Sequence, residues 1–184
     1  IHFDFGNNRA SQNQSVYTKS REEDYKLLIK LCEDGLPKRY NKVTDKVKKR
    51  LQTELETIKK MDFVSYFLIN HDIVSYSKSQ GYIHVGRGSG ANSIVAYIIG
   101  ITNVDPIELD LYFERFINPY RSSPPDFDID FSWKERDDVT QYIFKRFKHT
   151  ALLATYNTFK KRAVVRELGK VFGLPKEEID KLSD

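Results

Sequence analysis

Apolar side chains recur along this chain with two different periods, and the change of period marks its organisation. From Thr44 to Lys60, Val47, Leu51, Leu55, Ile58 and Met61 return at intervals of three and four residues, the spacing of one amphipathic helix. Its outer row of Lys46, Lys48, Lys49, Arg50, Lys59 and Lys60 reads as a solvated face. Upstream, Ser20 and Glu23 carry a capping-box signature. They open a helix to about Asp34 with Leu27, Leu28 and Leu31 inward, closed by Gly35 and barred from continuing by Pro37. A third helix, about Val64 to Ser79, is rich in aromatic residues and stops at Gly81. His71 lies within it, and a lone helical histidine is more often a hydrogen-bonded structural residue than a ligand.

The period then shortens. Tyr82-Ile83-His84-Val85 predicts a short strand, followed by Gly86-Arg87-Gly88-Ser89-Gly90 and an apolar helix from Ser93 to Ile99 that ends at Gly100. Leu111 to Ile117 predicts a short apolar element in which Arg115 is either paired with an acid or held as a fixed charge for an anion. Pro124-Pro125-Asp126-Phe127-Asp128-Ile129-Asp130-Phe131 alternates acids with large apolar residues, the period of a half-buried strand. A helix from Arg136 to Lys148, a strand from Ala151 to Tyr156, a basic helix from Thr158 to Phe172 and a last helix opened by Pro175 complete the pattern.

The acidic strand carries the chemistry. Alternation sends Phe127, Ile129 and Phe131 into a core and projects Asp126, Asp128 and Asp130 from the other face. Carboxylates at i and i+2 sit roughly 7 Å apart at the backbone. Their tips reach a pair of divalent ions at the roughly 3.5–4 Å spacing of two-metal phosphoryl transfer. Hard cations with oxygen ligands, Mg²⁺ above all, suit such a site. A calcium loop would need a glycine where Phe131 stands, and is excluded; a merely solvated acidic face remains open at this point. Ahead of the acids, the order strand, glycine turn, helix is one that cradles phosphate, with Ser89 adding a hydroxyl and the helix N-terminus adding positive potential. It is neither a Walker A loop nor a Rossmann fingerprint.

Composition narrows the picture. A length of 184 residues with 40% hydrophobic side chains allows one good core with a small appendage. A net charge of +4 permits a nucleic-acid partner without demanding one. The sequence has no apolar run of membrane-spanning length, and the single Cys32 excludes an internal disulfide, so a cytoplasmic protein is expected. The start at Ile1 and the absence of a stop signal after Leu182 read as a piece of a longer protein.

Several motifs in order, Gly86-Arg87-Gly88-Ser89-Gly90-Ala91-Asn92-Ser93, Val95-Ala96-Tyr97, Phe113-Glu114-Arg115-Phe116-Ile117-Asn118-Pro119 and Pro125-Asp126-Phe127-Asp128-Ile129-Asp130-Phe131, resemble the palm of the bacterial replicative DNA polymerase III alpha subunits, the C-family polymerases. The likeness reaches upstream to Met61 and downstream through Gly173, where it is similar to the start of that family's thumb. The resemblance implies an α+β fold, a mixed sheet flanked by helices as in the DNA polymerase beta-like nucleotidyltransferases. Residues 1–19, polar and outside the likeness, read as a linker, while the resemblance makes 20–155 an incomplete catalytic palm and 156–184 the truncated start of a thumb.

By the same resemblance, Asp126 and Asp128 are the catalytic, metal-binding aspartates, while Asp130 is not counted as a ligand. Gly88 and Ser89 bind nucleotide phosphate, and Arg115 contacts the incoming triphosphate. The chain departs from the family in lacking a proline before Gly86-Arg87 and in carrying Asn92 where glycine is usual. The implied reaction is attack of a primer 3′-hydroxyl on the α-phosphorus of a deoxynucleoside triphosphate, with two Mg²⁺ ions (or Mn²⁺ in their place). The third carboxylate is expected downstream of this chain, so the piece alone is expected to be inactive. Implied partners are primer-template DNA, dNTPs and, for the whole protein, other replicase subunits and a sliding clamp. Lys160, Lys161, Arg162 and Arg166 form a basic face for the DNA backbone, or a solvated helix face. Two rivals stand beside this: a nucleotidyltransferase acting on a small acceptor, and a catalytically silent nucleic-acid-binding scaffold.

Overall fold

The computed structural model describes residues 16–118, 125–148, 150–153 and 158–183. The chain forms two compact units, Ile1–Thr150 and Ala151–Asp184.

Among the described residues of the first unit, three helices precede the first strand: α1 (Arg21–Arg39), α2 (Asp45–Lys60) and α3 (Val64–Ser79). Their starts follow local chemistry. Ser20 Oγ accepts the Glu23 N–H and Thr44 Oγ1 accepts the Val47 N–H, each satisfying a donor that the first helical turn leaves unpaired. The expected end of α1 is corrected, because the helix passes Gly35 and Pro37 and stops only at Arg39. Gly35 is buried against α4 (Ile94–Ile98), where a Cβ would lie 2.5 Å from the Ile98 carbonyl oxygen, so glycine serves close packing and not termination. Pro37 is exposed, and so is Glu33, the residue whose carbonyl loses its helical donor, so the break falls on the solvent side of the helix.

After α3 come β1 (His84–Arg87), a 3-10 turn over Gly88–Asn92, and α4. A second 3-10 turn, Phe113–Arg115, is the expected short apolar element. β2 (Asp128–Phe131) and α5 (Arg136–Arg146) follow. One core joins Leu28 of α1, Ile58 of α2, Phe67 of α3, Val95 of α4 and Phe116. His71 is structural, as expected: Nδ1 bonds the Ile99 carbonyl at 2.8 Å, and burial holds the ring below its ordinary pKa.

Polar contacts fasten α5 to α3. The hydroxyls of Tyr76 and Tyr82 donate to Asp138 Oδ2, at 2.7 and 3.1 Å, and the Tyr76 ring stacks on Tyr142 at 3.8 Å. Asp72 accepts the hydroxyls of Tyr17 and Tyr142 and pairs with Arg146 at 3.1 Å.

The second unit contains α6 (Lys161–Val171) and α7 (Lys176–Ser183). Among the described residues the sheet is the antiparallel pair β1–β2 alone, an α-rich α+β arrangement, and this pair is all that is described of the mixed sheet expected from the sequence. The expected strand from Ala151 is corrected in part: residues 151–153 are exposed and form no strand, lacking a neighbouring ladder to pair with, while 154–157 lie outside the described residues.

Candidate active site

β1 and β2 pair with Arg87 opposite Asp128, Gly86 opposite Ile129, Val85 opposite Asp130 and His84 opposite Phe131. Directly opposed residues share a face of an antiparallel sheet. One face therefore carries Val85, Arg87, Asp128 and Asp130, and the other His84, Gly86, Ile129 and Phe131. Burial agrees: His84 and Gly86 are buried, Phe127 and Ile129 pack against the core, and Asp126 and Asp130 are exposed. The alternation expected of the acidic stretch is present through Asp130, while Phe131, expected in the core, is half-buried beside His84 and outside the main cluster.

Phe127 sets the position of the acids on either side of it. Its ring stacks on Tyr66 at 5.4 Å, meets Phe67 edge-on at 5.2 Å and lies 4.8 Å from Phe116. Its backbone N–H donates to the Tyr66 hydroxyl at 2.8 Å. An aromatic cluster of α3 and the Phe113–Arg115 turn thus grips the segment from its inner face.

The glycine turn lies directly on this segment. Gly88 has φ +71, and a Cβ there would stand 2.5 Å from Asp128 Oδ2. A Cβ on Gly90 would stand 2.5 Å from the Phe127 ring. Arg87 reaches across to the two acids of β2, its Nε 2.6 Å from Asp130 Oδ2 and an Nη 3.5 Å from Asp128 Oδ2. Ser89 is half-buried, and its carbonyl accepts the Asn92 side-chain N–H at 2.8 Å, which ties the turn across itself.

The amides expected to meet phosphate at the start of α4 are already engaged. Ser93 Oγ accepts the Ala96 N–H, and the carboxylate of Glu54 accepts the Ser93 hydroxyl at 2.8 Å and the Val95 N–H at 3.3 Å. Glu54 is fully buried and pairs with Arg50 at 2.7 Å. Arg50 also donates to the Asn92 and Leu111 carbonyls, both at 3.0 Å. Arg50 is therefore no solvated lysine-like residue, which corrects the expectation for the outer face of α2. The sequence held a signal for this pair: Glu54 falls in the apolar register of Leu51, Leu55 and Ile58, four residues after an arginine. With α4 capped internally, the surface left to an anion is the Gly88–Asn92 turn itself.

Arg115 ends the second 3-10 turn, which packs against the first, and it is exposed with no ion pair among the described residues. The four basic residues proposed for DNA lie in the second unit. Lys160 is exposed at the cap of α6, Lys161 opens that helix, and two of the four bind α7: Arg162 Nε donates to the Ser183 carbonyl and Arg166 pairs with Asp180, both at 2.9 Å.

Carboxylate oxygens at Asp126 and Asp128 match a hard divalent cation, and a cationic side chain, Arg87, already sits at the second of them. Among the described residues no group of three or more His, Cys, Asp or Glu side chains is arranged to hold a metal ion. Two carboxylates leave most of an octahedral shell to water, phosphate oxygens or a further acid. No helix among the described residues is long and apolar enough to cross a membrane.

Residues 26–184 match the family model described as the bacterial DNA polymerase III alpha NTPase domain. The chain is 41% identical over 158 residues to an error-prone DNA polymerase of Symbiobacterium thermophilum, covering 85% of this chain and 15% of that protein. It is 43% identical over 164 residues to the DNA polymerase III subunit alpha of Bacillus subtilis, covering 88% and 14% respectively. A DNA polymerase III subunit alpha of Treponema pallidum is 43% identical over 152 residues, 81% of this chain and 13% of its own length. The chain thus spans about one seventh of the curated relatives it matches, and those relatives carry both polymerase names. With the family model covering residues 26–184, most of its length, the chain belongs to the bacterial DNA polymerase III alpha family.

Proposed function

We propose that the full-length protein is a DNA-directed DNA polymerase and that residues 20–155 supply the metal-binding and phosphate-binding side of its palm, with 156–184 beginning the thumb. The observation that carries this is the contact of the glycine turn with the acidic strand, Gly88 against Asp128 Oδ2. A nucleotide whose phosphates rest on that turn has them beside carboxylate oxygens, which is what metal-assisted phosphoryl transfer requires and a solvated acidic face does not.

Asp126 and Asp128 hold the ions. Bound Mg²⁺, or Mn²⁺ in its place, supplies Lewis-acid stabilisation of the attacking and leaving oxygens in an in-line displacement. The backbone and hydroxyl of Gly88 and Ser89 hold phosphate oxygens. Arg115 binds the triphosphate and offsets the charge that collects on the leaving pyrophosphate. Lys160, Lys161, Arg162 and Arg166 contact the DNA backbone without reading sequence, so this contact weakens steeply with salt. The primer 3′-hydroxyl is the nucleophile and a dNTP the substrate; replicase subunits and a sliding clamp are partners of the whole protein.

A third carboxylate is contributed from beyond this chain, and the 184-residue piece by itself does not extend a primer. The test is primer extension with Mg²⁺ by the full-length protein beside Asp126→Asn and Asp128→Asn, with DNA binding measured in parallel. Loss of synthesis in both variants with DNA binding intact is the expected result. A wild-type protein that binds DNA and never extends it would leave this a palm kept for assembly.

A further inference from the structure

Arg87 does something at the acidic face that a simple cross-strand pair does not require. Its direct partner across the sheet is Asp128, yet the guanidinium leans along the diagonal and makes its close contact, 2.6 Å, with Asp130, leaving 3.5 Å to Asp128. The Arg87, Asp128 and Asp130 side chains are 59, 43 and 56% exposed, a setting in which an ion pair adds little to folding. Arg87 is also the residue immediately before Gly88, so Asp128 Oδ2 is met by the guanidinium and by the glycine turn together. A cation 3.5 Å from a carboxylate offsets part of its charge while no other cation is near, and opposes any divalent ion that arrives.

We propose that Arg87 is a placeholder cation for Asp128 and that Asp130 is its dock: with no ion bound, Arg87 is shared between the two acids, and on ion binding Asp130 takes it wholly, leaving it beside the phosphate turn. The proposal rests on the reading of Asp128 as a metal ligand. It gives Asp130, an acid on the metal-binding face that is not itself a ligand, a positioning role. The docked guanidinium sits at the mouth of the Gly88–Asn92 turn as a second positive charge for a bound polyphosphate.

The experiment is titration of the full-length protein with Mn²⁺ in the absence of nucleotide, read by electron paramagnetic resonance of the free ion. Binding lost in Asp128→Asn defines the site. Arg87→Gln removes the competing cation and tightens Mn²⁺ binding at that site by about two- to fivefold, the range of an exposed ion pair. Asp130→Asn leaves Arg87 only Asp128 to pair with and weakens binding by a similar factor of about two to five. In the Arg87→Gln background the Asp130→Asn effect falls to less than half, because Asp130 acts through Arg87. Unchanged or weaker binding in Arg87→Gln overturns the proposal. An Asp130→Asn effect of equal size in both backgrounds also overturns it, since Asp130 would then act on the ion directly. No loss of Mn²⁺ binding in Asp128→Asn removes the metal-site reading itself, and the proposal with it.

Discussion

Gly88 and Asp128 are in contact: the bare Cα of the glycine faces the aspartate carboxylate so closely that a Cβ would stand 2.5 Å from Oδ2. The contact joins the two motifs proposed to carry the chemistry, one on β1 and its turn, the other on β2. It exists because Arg87 and Asp128 are register partners, which delivers the residue after Arg87 to the end of the acidic strand. The φ of +71 at Gly88 then turns the chain into the 3-10 segment. Glycine meets both demands at once, a left-handed backbone and no side chain.

Gly88→Ala therefore fails on two counts. The backbone conformation costs about 1 kcal/mol or more for any residue with a Cβ. The clash with Oδ2 is relieved by rotating Asp128, which moves a carboxylate proposed to hold metal. A fall in primer extension by the full-length protein of at least about 100-fold is expected, the scale of misplaced catalytic groups, with a thermal midpoint lowered by only a few degrees. Activity near wild type would mean that the turn and the acid do not act together.

Phe127 makes a second, separable prediction. The Tyr66 hydroxyl receives its N–H, and the Tyr66, Phe67 and Phe116 rings enclose its side chain. Phe127→Ala empties that enclosure at a cost of about 2–4 kcal/mol, toward the lower end because the residue is only half-buried. Tyr66→Phe keeps the stack and removes the hydroxyl that accepts the Phe127 N–H, costing about 1 kcal/mol for that bond. Urea unfolding measures both. If Tyr66→Phe lowers metal affinity as well as stability, the bond to the Phe127 backbone also sets the spacing of Asp126 and Asp128.

These contacts differ in how far they could be read from residues alone. The bounds of α2 and α3 were legible because their signals are local: Thr44 caps one helix and Gly81, with φ +77, follows the end of the other. The inward and outward sides of the acidic strand were legible for the same reason, since alternation is a property of neighbours. The end of α1 was not, because Gly35 answers to Ile98, which is distant in sequence. Arg87 at Asp130 depends on strand register, which no local pattern states. The hold of Glu54 on α4 was not legible, because Ser93 and Val95 lie 39 and 41 residues away, while only its pair with Arg50 is local.

Glu54 gives the last prediction, a dependence on pH. Burial is the largest influence on its carboxyl and raises the pKa above the ordinary 4.5, while hydrogen bonds from Arg50 and Ser93 and the Arg50 charge pull it back. A pKa raised on folding means that the folded state binds the proton more tightly. The stabilisation this brings is complete below the unfolded value near 4.5 and is lost as pH rises through the folded pKa. Glu54→Gln does not titrate at position 54, so every other group cancels in the difference between the two proteins. The stability of wild type relative to Glu54→Gln should therefore rise as pH falls from 7 toward 4.5, by at most about 1.4 kcal/mol per pH unit. Urea unfolding at several pH values measures this difference. A relative stability that falls on acidification would mean that the Arg50 pair outweighs burial and that the carboxylate is the preferred form. Glu54→Ala is the harsher change, leaving Arg50 without its partner and the first turn of α4 without its acceptor, at a cost of about 3–5 kcal/mol.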